Sequence, residues 1–224
     1  IDAILAGDRA SERAALPEDF RNPEVAVERA GFLMPGLVEA HCHLFLDGGE
    51  LDPAARAAYL DAPVDAMMTM ARRNVDRHRR AGVTLVCDAG DRFGINHRIR
   101  AEAETTEGAW PTVRSVGVAL RKPRGYGAFF AREVEGDEEI VAAVREFLET
   151  SDDLKLILTD IIDFASGAMR RGPQFTLDET RLVVRTAHAL GRRVMAHCSG
   201  TEGLRIAAEA GVDSIEHGFF MTPD

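Results

Sequence analysis

Leu190-Gly191-Arg192-Arg193-Val194-Met195-Ala196-His197 reads as a helix end, a glycine, two arginines and then a short apolar run closing on a histidine. A glycine just past a helix adopts the left-handed conformation that closes it, and the residues beyond are free to extend. The same reading recurs elsewhere. Ala81-Gly82 leads into Val83-Thr84-Leu85-Val86-Cys87, and Ala210-Gly211 leads into Val212-Asp213-Ser214-Ile215-Glu216-His217. Helices are legible too: Ile140, Val141, Val144, Phe147 and Leu148 share one helical face. Thr176 and Glu179 stand at capping-box spacing, where hydroxyl and carboxylate satisfy free backbone donors at a helix start. Strands are expected near 37–43, 83–88, 112–118, 154–158, 193–197 and 212–217, and helices near 63–81, 95–106, 137–150, 177–190 and 201–210. Such alternation specifies βαβ units and a parallel sheet, the α/β class. Residues 1–33 do not join the rhythm. They are polar, carry Pro17 and Pro23, and read as an irregular segment ahead of a domain at 34–224.

Composition narrows the function classes. The 224 residues are 46% hydrophobic and 29% charged, with 27 Lys plus Arg against 37 Asp plus Glu and a formal net charge of −10. An acidic chain without clustered positive charge is not expected to bind nucleic acid. No apolar run approaches the ~20 residues of a membrane span, and no basic-then-apolar leader opens the sequence. Three cysteines, Cys42, Cys87 and Cys198, make a poor disulfide framework and point to a reducing, cytoplasmic compartment.

The histidines divide into two groups. His78, His97 and His188 fall in helical stretches and read as solvated or capping residues, whereas His41, His43, His197 and His217 fall at strand ends. Residues i and i+2 of a strand project to one face, so His41 and His43 can grip one ion while Cys42 points away. Imidazole suits zinc and its neighbours. Cys42 and Cys198 flank these histidines, but alternation turns both toward the helical layer as small buried thiols.

Lys155 is the second anomaly. Lys122 and Lys155 are the only lysines, and Lys155 sits within Leu154-Lys155-Leu156-Ile157-Leu158, where a charged amine is expensive to bury. One reading has it snorkel or pair with Asp152, Asp153 or Asp160. The other has burial keep the amine neutral and able to take up carbon dioxide as a carbamate that bridges two metal ions.

Phe32-Leu33-Met34-Pro35-Gly36-Leu37-Val38-Glu39-Ala40-His41-Cys42-His43-Leu44 resembles the first barrel strand of the amidohydrolase superfamily, and Gly82 to Gly90 resembles the second. His197-Cys198-Ser199-Gly200-Thr201-Glu202-Gly203 and Ala210 to Gly218 are similar to strands five and six of the branch holding imidazolonepropionase and the prolidase-like dipeptidases. The resemblance implies a (β/α)8 TIM-like barrel with a binuclear metal centre at the C-terminal mouth of the strands, the face where such barrels build sites. It implies that His41 and His43 hold the more buried metal, that His197 and His217 hold the more exposed one, and that carbamylated Lys155 bridges them. Lys155, His197 and His217 are thereby expected in catalysis. The resemblance further implies two divalent ions, zinc in the first instance with Mn, Fe or Co as alternatives, which would supply a hydroxide to attack the carbonyl of an amide or cyclic amide. A strand-four lysine favours such hydrolases over the one-metal deaminases of the superfamily.

The chain departs from that pattern in length. A barrel of this class runs ~250 residues or more, and only strands one to six are legible before residue 224, without the strand-eight aspartate. The chain is therefore expected to be part of a longer protein, to complete itself with a second copy, or to be an inactive truncated homologue. Ser199 stands where the branch often carries His or Tyr. Arg121, Lys122, Arg124, Tyr126, Arg170 and Arg171, in the loops after strands three and four, are candidates to clamp the carboxylate of a dipeptide or N-acyl amino acid. A lactone or organophosphate hydrolase on the same scaffold is the alternative chemistry.

Overall fold

The computed structural model describes residues 32–222 other than 107 and 164. A boundary between Pro35 and Gly36 sets off the compact unit that carries every element named below. The irregular segment expected at 1–33 lies, through residue 31, outside the described residues. The first half runs β1 (Leu37–Cys42), α1 (Pro53–Leu60), α2 (Val64–Arg80), β2 (Val83–Asp88), α3 (Ile95–Thr105), β3 (Thr112–Ser115), β4 (Ala119–Arg121) and β5 (Ala131–Glu133). The second half runs α4 (Asp137–Leu148), β6 (Leu154–Ile157), β7 (Ile162–Asp163), β8 (Ala168–Met169), α5 (Leu177–Ala189), β9 (Val194–Cys198), α6 (Thr201–Ala210) and β10 (Ser214–His217).

Local chemistry explains the elements. In α2, Met67, Met68, Ala71 and Val75 form the buried stripe, and the basic last turn complements the helix dipole. Three acidic residues, Asp137, Glu138 and Glu139, open α4, whose buried face is Ile140, Ala143, Val144, Phe147 and Leu148. The Thr176–Glu179 capping box forms at the start of α5 as its spacing predicts. Gly82, Gly191 and Gly211 all take positive φ after their helices.

The parallel class is correct, with a division the sequence does not show. Strands pair in parallel in a three-stranded sheet, β1-β2-β3, and a five-stranded sheet, β10-β9-β6-β4-β5; β7 and β8 form a small antiparallel hairpin. The strand expected at 112–118 is broken, because Gly117 adopts φ +68 and its carbonyl accepts from Asp91 N (3.1 Å) and Asn96 Nδ2 (3.0 Å). Gly90 makes room for this bend, since a Cβ there would lie 2.7 Å from the Gly117 oxygen. Each sheet has its own core. Leu44, Phe45, Met67, Val75, Val86 and Ile99 pack with the first; Leu120, Val144, Leu154, Leu156, Val183 and Val194 pack with the second.

Candidate metal centre

Register fixes which side chains face the site. Lys155 pairs with Met195, Ile157 with His197, Ser214 with Met195 and Glu216 with His197. Paired residues of a parallel ladder share a face, so Lys155, His197 and Glu216 lie on one side of the second sheet. By the same alternation His217 belongs to the other side. Its positive φ of 73° ends the strand and turns the ring back.

The four strand-end histidines meet. Ring centroids are 5.6 Å apart for His43 and His41, 5.1 Å for His41 and His217, and 4.7 Å for His217 and His197. His43 Nδ1 lies 2.7 Å from the Gly90 carbonyl, which can only accept, so Nδ1 carries the proton and Nε2 keeps a free lone pair. His41 Nδ1 lies 2.5 Å from a Glu216 carboxylate oxygen and is set in the same way. His197 turns Nε2 toward the Asp160 carbonyl at 3.4 Å, leaving the free lone pair on Nδ1. Burial holds His43 and His197 at about 3 and His217 at about 4, so all three are neutral at physiological pH and have lone pairs to give. Asp88 is buried at the end of β2, where it accepts from Leu44 N (3.1 Å) and Gly90 N (2.9 Å) and ties down both flanks of His43.

Lys155 is 1% exposed, and its Nζ has no hydrogen-bond partner. Burial pulls the amine down to about 7, against the opposing charge of Glu216, and any charge on it is felt by His43, His197 and His217. The pairing with a neighbouring aspartate is excluded: Asp152 bonds Arg100 (2.9 Å), Asp153 bonds Arg114 (2.8 Å), and Asp160 faces Arg171 (3.7 Å). Among the described residues no three His, Cys, Asp or Glu side chains are already drawn together as a ligand set. The donor chemistry nonetheless fits divalent ions: imidazoles with oriented lone pairs, three of them within reach of the Lys155 charge, and an unpartnered amine. The thiols do not take part. Cys42 packs against the first core, Cys198 lies within the second, and burial raises the Cys198 thiol to about 12.

The remaining histidines have structural partners: His78 bonds the Asn74 carbonyl, His97 bonds Ser115, and His188 bonds Asp213. Of the loop candidates, Arg121 is engaged by Gly125 O and Glu133, and Lys122 by Glu179. Arg170 and Arg171, with Asp160 and Asp163, line a polar cavity of about 480 Å³. The Tyr126 ring lies 5.2 Å from that of His197, and burial holds its phenol proton above the ordinary range. Ser199 is buried and gives its N–H to Thr159 Oγ1 at 3.0 Å. Sequence reasoning overlooked Glu216 and Asp88. Strand alternation in Ser214-Ile215-Glu216 was the signal for the first; nothing local marked the second.

Comparison with known proteins gives concordant matches. The family model described as the amidohydrolase family matches residues 32–222. An uncharacterized protein of Mycobacterium tuberculosis (strain ATCC 25618 / H37Rv) is 31% identical over 200 residues, covering 87% of this chain and 46% of the relative. A solved Xaa-Pro dipeptidase with methionine bound in its active site superposes with a TM-score of 0.70 at 28% identity, over 84% of this chain and 49% of that one. A prolidase in complex with N-methylphosphonate-L-proline gives a TM-score of 0.68 at 26% identity, over 83% and 48%. The chain spans about half the length of these relatives.

Proposed function

The chain belongs to the amidohydrolase family, with prolidase-like neighbours, and on that premise we propose that it is the metal-holding part of a hydrolase that cleaves amide bonds of small molecules. The observation that carries the reading is Lys155, a buried amine without a partner among four strand-end imidazoles. The parallel strand order supports reading the two sheets as one arc of a (β/α)8 barrel.

His41 and His43 would hold one ion through Nε2, and His197 and His217 a second. Lys155 would join them as a carbamate. In forming it, the neutral amine attacks the carbon of carbon dioxide, a C–N bond forms, one C=O electron pair moves to oxygen, and the N–H proton leaves to water. Bound divalent ions supply Lewis-acid polarisation of the substrate carbonyl and acidify water at neutral pH. The chain's own groups prepare the site around them. Phe130 stacks on His43 (5.1 Å between centroids) and Phe129 backs Phe130 (4.3 Å), which excludes water from that ligand. Tyr126, protonated and beside His197, is placed to donate a hydrogen bond to a substrate oxygen. Arg170 and Arg171 support a substrate with a free carboxylate, such as a dipeptide or N-acyl amino acid.

The test is metal content by plasma mass spectrometry after expression with zinc and bicarbonate, beside Lys155→Ala. About two ions per chain are expected from a binuclear centre, falling sharply in the variant. A folded protein that retains no metal refutes the reading.

A further inference from the structure

We propose that Glu216 is a positioning residue for His41: its carboxylate fixes the Nδ1-protonated form of that ring and aims Nε2 at the other strand-end histidines. The inference rests on the metal-holding reading above for its purpose, but not for its geometry. Glu216 faces the site because it pairs with His197 in the β9–β10 ladder. One carboxylate oxygen lies 2.5 Å from His41 Nδ1, and the other accepts from the Ser214 hydroxyl. With the His41 and Glu216 side chains only 17% and 12% exposed, little water competes for these bonds. A carboxylate accepts and does not donate, so the shared proton sits on His41 Nδ1 and the lone pair on Nε2.

The two histidines of the first strand are thus held by different acceptors: His43 by a neutral backbone carbonyl, His41 by an anion. An anionic acceptor makes the stronger bond, the arrangement by which outer residues orient metal-binding histidines. The bond also runs from β10 to β1, so it sets the placement of His41 from the opposite sheet.

Ring ¹⁵N shifts of histidine-labelled, metal-stripped protein test the first half, with the His41 signals identified by their loss in His41→Asn. Wild type is expected to show His41 protonated at Nδ1. Glu216→Ala is expected to lose that state while His43, held by Gly90, keeps its own. Glu216→Gln, whose amide oxygen can still accept, is expected to retain it in part and serves as the folded variant if alanine does not fold. Zinc affinity by chelator competition tests the second half: a weakening on the order of 10–100-fold is expected for Glu216→Ala, and a smaller one for Gln. An unchanged His41 tautomer in a folded Glu216→Ala protein overturns the inference, as does unchanged zinc affinity. If wild type takes up no zinc, the metal reading of the site falls, and the tautomer measurement alone decides the role of Glu216.

Discussion

Lys155→Met exposes what the buried amine costs. Metal-stripped protein freed of carbon dioxide is the form to compare: the Lys155 side chain is buried, and burial lowers its amine from 10.5 to about 7. Its folded form therefore resists the proton that the unfolded chain holds up to 10.5. Between these values the unfolded state binds more protons, so stability rises with pH. Each tenfold difference in proton affinity is worth about 1.4 kcal/mol, which sets a ceiling of roughly 4 kcal/mol on the penalty at pH 7 and about 2 kcal/mol at pH 9. Methionine has a similar length, packs in apolar surroundings and carries no proton. Urea unfolding of both proteins at pH 7, 8 and 9 should find the variant more stable by about 2–4 kcal/mol at pH 7, with the gap closing by about 2 kcal/mol at pH 9. Other titrating groups cancel in the difference. Parallel pH profiles, or a variant less stable at pH 7, would show that the amine has a partner and would refute the account of the site as an unpaired buried base.

Three further outcomes follow from contacts described above or beside them. Thr176→Ala removes the hydroxyl that accepts from Glu179 N at 3.2 Å, and should lower stability by about 1 kcal/mol in a thermal melt. Gly203→Ala would drive a Cβ into the Thr159 methyl, which is fully buried and whose hydroxyl accepts from Ser199 N; about 1–3 kcal/mol of stability should be lost to overpacking. Arg171→Met should raise KM roughly tenfold for an N-acyl amino acid, the value of a hydrogen bond between charged groups. It should leave KM for the corresponding carboxamide unchanged; equal effects on both substrates would remove Arg171 from carboxylate binding.

What could be read without coordinates followed packing periodicity. Helices with a buried stripe, such as α2 and α4, and strands bounded by glycine stand where expected. α1 was missed because it buries no residue, so periodicity had nothing to record; its only marks were Asp52 capping Ala55 and Pro53 in the first turn. β4 and β5 escaped because Gly117 reads as an ordinary residue within an apolar run until the carbonyl contacts that bend the chain are seen. At the candidate site, histidine spacing was informative because His41, His43, His197 and His217 all fall at or just past strand ends. Glu216 and Asp88 act on partners 175 and 44 residues away, respectively; alternation marks the face of Glu216, but no local pattern announces either partner.

The divided sheet has a consequence for the durability of the site. His41 stands on one hydrogen-bonded ladder and His43 just beyond its end, and Lys155, His197, Glu216 and His217 belong to the other. Near the kink at Gly117 the ladders are joined by the Ser115–Asp152 backbone bond (2.8 Å) and the Arg114–Asp153 ion pair (2.8 Å), and at the histidines by the His41–Glu216 bond and the Phe130–His43 stack. Each ladder keeps its own apolar core and can stay formed when those joints part. Amide exchange should therefore resolve two protected blocks, with the amides at the seam exchanging ahead of both. On this expectation the histidine assembly acts as a latch between two panels, and the exchange of its amides should report the opening of the seam before that of either panel.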